Sequence, residues 1–156
     1  MGDKKLMEKA VELALKNVEA NHGGPFGAIV VKDGQIISVG RNEVTATNDP
    51  TAHAEIQAIR AACKALNSFQ LTECEIYTSC EPCPMCIGAI YWARPKAVYY
   101  ACTKSDAAQI GFDDQFIYEQ ISLPIDKRDI KMIQVCSDKY DLPFHTWRIS
   151  TRKTEY

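Results

Sequence analysis

Apolar residues recur with helical spacing at the start of the chain. Over residues 3–20, Leu6, Ala10, Leu13 and Asn17 form one row and Met7, Val11, Ala14 and Val18 the row beside it. That pattern predicts an amphipathic helix, ended by the Gly-Gly-Pro run 23–25. The period then changes. Runs rich in β-branched residues at 26–31 and 35–40 flank Lys32-Asp33-Gly34, which predicts a tight hairpin. After a polar loop over 43–48, Asp49 is placed to cap a helix beginning at Pro50, with Ile56, Ile59, Cys63 and Leu66 along one face. A strand at 75–78, a helix opening at Pro82 and running to about Trp92, and a strand at 97–101 follow. A helix near 115–121, a strand near 130–135 and a helix after Pro143 complete the pattern. Strands alternating with helices predict a three-layer α/β/α domain, with a mixed five-stranded sheet whose first pair is a hairpin.

With 156 residues, 46% of them hydrophobic and 24% charged, the chain has the composition of one ordinary globular domain, 1–156. No apolar run has the length of a membrane span. The charged start, MGDKKLMEK, does not read as a signal peptide, and Leu6 stands where a myristoylation signal needs Ser or Thr. The expectation is a cytoplasmic protein with no membrane contact, whose seven cysteines are thiols or metal ligands rather than disulfides. Lys and Arg number 18 against 20 Asp and Glu, a net charge of −2 that offers no footprint for a nucleic acid and favours a small substrate.

Chemistry concentrates in SCEPCPMC, 79–86, which sets Cys80, Cys83 and Cys86 three residues apart. A structural zinc takes four protein ligands, whereas a catalytic one keeps a position open for water. A helix starting at Pro82 would put Cys83 and Cys86 on one face of its first turn, where the helix dipole favours thiolates. The best third ligand is His53; His22 and His145 lie in contexts that read as ordinary surface or core positions. Cys80 as a fourth ligand would close the site. Glu55 speaks for an open one, because a carboxylate two residues from a ligand is idle at a structural zinc but moves protons beside a catalytic one. His53 and Glu55, two apart and so about 200° apart on a regular helix, share a site only if it lies at the helix start.

TAHAEIQAIR and SCEPCPMCIGAIYWARP together carry the split H-x-E…P-C-x-x-C arrangement of zinc nucleobase deaminases. With GGPFGAIVVKDG, TNDPTAHAE, AIYWARPKAVYYA and GFDDQFIY, the chain most resembles bacterial guanine deaminases of the cytidine-deaminase-like superfamily, from about residue 10 to 156. The resemblance implies one Zn2+ per chain on His53, Cys83 and Cys86, Glu55 as the catalytic proton carrier, and conversion of guanine to xanthine and ammonia. It implies a purine-base pocket lined by Phe26, Asn42, Ala54, Trp92, Asp114 and Tyr156. It also implies a C-terminal segment, about 140–156, that caps an active site, with a homodimer exchanging these segments as one form. Two alternatives stay open at this stage: a tRNA adenosine deaminase with the same core motif, and a non-catalytic zinc-stabilised module using Cys80.

Overall fold

The computed structural model describes residues 2–156. Helix α1, Lys4–Glu19, starts where Asp3 accepts a hydrogen bond from the Lys5 amide, and it carries the double apolar row foreseen for it. Strands β1, Gly27–Lys32, and β2, Gln35–Arg41, form the hairpin; Asp33 and Gly34 both have positive φ, the backbone of a two-residue turn that matches strand twist. A single helical turn, α2 (Val44–Thr47), leads to helix α3, Ala54–Leu66. Strand β3, Cys74–Cys80, helix α4, Pro84–Ala93, and strand β4, Ala97–Cys102, complete a right-sized strand-helix-strand unit. Helix α5, Lys104–Gln109, follows; its Thr103/Asp106 capping box was legible in TKSD but not foreseen.

The sheet order is β2-β1-β3-β4, with β1 antiparallel to both neighbours and β3 parallel to β4. One face packs Ala28, Val30 and Ile76 against Ala54, Ala58 and Ala62 of α3 and Ile90 and Ala93 of α4. The other packs Ile29, Val31 and Tyr77 against Ala10 of α1. The three layers are therefore present, but among the described residues the sheet has four strands, not five. The expected strand near 130–135 does not form: residues 131–137 are irregular, and Ile133 and Val135 are 77% and 87% exposed. β-branched residues favour a strand only where a neighbouring strand takes up their backbone groups, and this segment has no such ladder.

Two helix starts also differ from expectation. Asp49 does not cap α3; its carboxylate accepts from the amide and hydroxyl of Thr51, and the helix begins four residues after Pro50 with His53 as its N-cap. The next helix begins at Pro84 rather than Pro82, which makes Cys83 its N-cap.

The chain divides into one compact unit through Gln115 and a second over Phe116–Tyr156. The second holds most of α6, Gln115–Ser122, a 3₁₀ turn at Ile125–Lys127 and α7, Leu142–Ile149, and none of its residues is buried. Among the described residues, no helix is long and apolar enough to cross a membrane.

α3 lies directly on β2 because Gly40 has no side chain: a Cβ there would collide with the Ala54 carbonyl oxygen and the Ala58 nitrogen. Gly40→Ala is expected to lower stability by about 1–3 kcal/mol through that overpacking. Because it displaces the helix start beside His53, zinc affinity should fall as well; denaturant unfolding and metal titration check the two effects.

Candidate metal centre

His53 and Cys83 occupy equivalent places, each the last extended residue before a helix, with φ/ψ of −72°/155° and −67°/168°. Neither side chain caps its helix. Both are instead turned toward each other and toward Cys86, in the first turn of α4. His53 Nδ1 is 3.5 Å from Cys83 Sγ and 3.6 Å from Cys86 Sγ. A tetrahedral zinc bonded to sulfur at about 2.3 Å and to nitrogen at about 2.0–2.1 Å sets S···N separations of roughly 3.6 Å, so the donor set and its spacing fit that ion. Among the described residues, this is the group of His, Cys, Asp and Glu side chains close enough to share a metal, its donor atoms lying within 4.8 Å of one another.

Cys80 is not in that group. Its buried thiol lies 3.5 Å from the Thr103 carbonyl, to which it donates, and burial pushes it up to about 11, so it stays protonated. Cys83 is held down to about 4, first by the hydrogen bond from Cys86 and then by His53. Cys86 is raised by that bond and by burial. The bond to Cys83 raises His53. The Cys83 thiolate gives the site negative charge, and a metal bound there would take the place of the proton that the raised His53 pKa favours.

Glu55, in the first turn of α3, is 6% exposed. Its Oε2 is 3.5 Å from Cys86 Sγ, and its Oε1 accepts from Thr78 Oγ1 at 3.2 Å. Burial raises its pKa, with the Cys83 charge adding to the shift. The 200° objection disappears because His53, as N-cap, is extended rather than helical. Thr78 was not anticipated: a Thr in a buried strand reads as a strand former, and only its hydroxyl in the YTSC run of β3 signalled more.

The expected pocket residues lie on several different elements. Phe26 and Asn42 lie opposite each other at the open end of the hairpin, the main-chain N–H of Asn42 donating to the Phe26 carbonyl at 3.1 Å. Phe26 meets Phe112 edge-on, ring centres 4.9 Å apart. Ala54 is fully buried between His53 and Glu55. Asp113 accepts from the Gln115 amide and so serves the α6 start, whereas Asp114 is half-buried, its pKa raised by burial and by the charge of Cys83. Trp92 is 63% exposed at the far end of α4, about 9 Å along the axis from Cys86. Tyr156 belongs to the second unit. His22 contacts Glu43, and His145 contacts Arg148.

Residues 1–102 match the family model described as the cytidine and deoxycytidylate deaminase zinc-binding region. The chain is 56% identical over 156 residues to a guanine deaminase of Bacillus subtilis (strain 168), covering 100% of both. The X-ray structure of guanine deaminase from Bacillus subtilis superposes with a TM-score of 0.96 at 56% identity, covering 100% of this chain and 99% of that one. A tRNA-specific adenosine deaminase of Aquifex aeolicus is 48% identical over 77 residues, 49% of this chain and 51% of that protein.

Cys83→Ser should lose tightly held zinc, while Cys80→Ser should keep it, since its thiol bonds to a carbonyl elsewhere. Metal analysis of the purified variants after dialysis distinguishes the two; equal losses would make Cys80 a ligand.

Proposed function

The chain belongs to the cytidine and deoxycytidylate deaminase zinc-binding family, and from that premise we propose that it is a zinc-dependent guanine deaminase. The observation that carries this reading is Glu55 packed against a His-Cys-Cys triad, in a chain like a guanine deaminase from end to end. His53, Cys83 and Cys86 would hold one zinc per chain, which supplies Lewis acidity and makes water nucleophilic at neutral pH. Glu55 would take a proton from the attacking water at a carboxylate oxygen, and its raised pKa suits it to keep the proton. The oxygen adds to C2 of guanine, Glu55 returns the proton to the amine nitrogen, and the C2–N bond breaks to give xanthine and ammonia. Thr78 holds Glu55 Oε1 and leaves Oε2, on the triad side, for the transfer.

Phe26 and the Ala54 backbone form a wall for the ring, while Asn42 and Asp114 offer hydrogen bonds to its edge. Trp92 and Tyr156 are both largely exposed in the single chain. We place them, with segment 140–156, as the cap of the pocket. The second unit buries no residue although Phe144, Trp147 and Ile149 lie on α7, and such apolar surface calls for a partner. A homodimer that exchanges these segments answers it. A cytoplasmic purine-salvage or catabolic role accords with this chemistry. The tRNA reading is weaker: tRNA-specific adenosine deaminases match at 34% to 48% identity over 49% to 78% of the chain, against 56% over all of it for the guanine deaminase, and 18 basic against 20 acidic residues suit a free base better than RNA.

Glu55→Gln should keep zinc and fold but lose roughly 10²–10⁴ in turnover, the range of general acid-base catalysis. Ammonia release from guanine measures it, and near-normal rates would remove Glu55 from the chemistry. In the same assay guanine should far outpace adenosine in a tRNA loop; the reverse order, with binding that weakens steeply in salt, would favour the RNA enzyme.

Deleting residues 153–156 should leave the thermal midpoint and zinc content unchanged while sharply reducing guanine turnover. Mixing that truncated chain with Glu55→Gln should restore activity if segments are exchanged. Full activity of the truncated enzyme would refute the cap.

A further inference from the structure

Behind Asn42 lies a hydrogen-bonded ring that the chemistry above does not use. Asn17 stands in the apolar row of α1, 1% exposed. Its Nδ2 donates to the Asn42 carbonyl at 2.8 Å and the Gly24 carbonyl at 2.9 Å, while its Oδ1 is buried without a partner. A half-satisfied buried amide is costly, and an apolar side chain would fill the same space without that cost. What Asn17 provides is two donors aimed at two carbonyls, one in the loop between α1 and β1 and one just after β2, which it ties together.

The ring closes through Asn42 itself. The Gly24 amide donates to Asn42 Oδ1 at 3.2 Å and the Val44 amide to the same atom at 3.3 Å. Two N–H donors require an oxygen, so these bonds fix which way the Asn42 amide faces and direct its Nδ2 away from them. Gly23 adds a steric constraint: a Cβ there would collide with the Asn42 carbonyl and lie 3.0 Å from Asn42 Oδ1 and 3.1 Å from Asn17 Nδ2.

We propose that Asn17 is a positioning residue for substrate binding. By fixing the Asn42 main chain it holds the Asn42 amide with its N–H donors presented to an acceptor edge of the base. This rests on the reading of Asn42 as a guanine contact, and it adds a residue on a different element that controls that contact.

Asn17→Asp, the same shape without donors, and Gly23→Ala, whose added Cβ presses on the Asn42 carbonyl, test it in the zinc-loaded enzyme. Each should raise the KM for guanine about fivefold to tenfold, the worth of one oriented hydrogen bond, with kcat within about twofold. In an Asn42→Ala background neither should have any further effect, because both act through Asn42. Without substrate, the side-chain amide NMR signal of Asn42 should shift or broaden in both variants. Additive losses in the Asn42→Ala background, or an unchanged Asn42 signal, would overturn the proposal; so would failure of both variants to fold, which would make the ring merely structural. A changed Asn42 signal with unaltered guanine KM would overturn it too, if Asn42→Ala does raise KM; a silent Asn42→Ala would instead reject the underlying reading of Asn42 as a guanine contact.

Discussion

The contact between Gly40 of β2 and the backbone of Ala54 and Ala58 sets the position of everything that follows it in space. Ala54 is the first residue of α3, so the point where helix and sheet touch lies one residue from both His53 and Glu55. The fully buried α3 residues of this cluster are Ala54, Ala58 and Ala62, with Ile59, Cys63 and Leu66 partly buried beside them, so the helix lies close to the sheet and has little freedom to slide. β3 approaches from beneath, and Thr78 reaches Glu55 from it. The parallel β3-α4-β4 unit then brings the start of α4, with Cys83 and Cys86, to the same end of the sheet.

Two helices give up their caps to build the site. A side chain that caps a helix contributes about 1 kcal/mol, and His53 and Cys83 hold both N-cap positions without doing so. Their side chains face a shared point instead, and metal binding there would offset the loss. A thiolate is favoured at Cys83, and that negative charge suits the shared point to a cation. Glu55 is the counterpart: a carboxylate taken out of water, oriented by one hydroxyl and left with one oxygen toward the triad.

The triad and Glu55 were legible in the sequence because their spacing, H-x-E and P-C-x-x-C, depends on local chain geometry at two helix starts. The exact starts were not. Pro50 and Pro82 are both good first helical residues, but Thr51 occupies the Asp49 carboxylate and the chain stays extended through Cys83. The hairpin and the α3 apolar face follow from period and turn chemistry alone. Segment 130–135 has the composition of a strand, yet composition cannot say whether a neighbouring strand is present to receive it. Thr78 and Asn17 were hidden for another reason: one hydroxyl or amide in a buried row looks like a tolerated exception until its partners are seen.

The central claim is that two sulfurs and one imidazole nitrogen bind the metal and leave a position for water, with Cys80 outside. Zinc K-edge X-ray absorption of the purified protein tests it most directly. The account predicts two sulfur scatterers at about 2.3 Å and two nitrogen or oxygen scatterers at about 2.0–2.1 Å, one of them exchangeable. Three sulfurs and one nitrogen, with no exchangeable ligand, would contradict it and make the site a closed structural zinc.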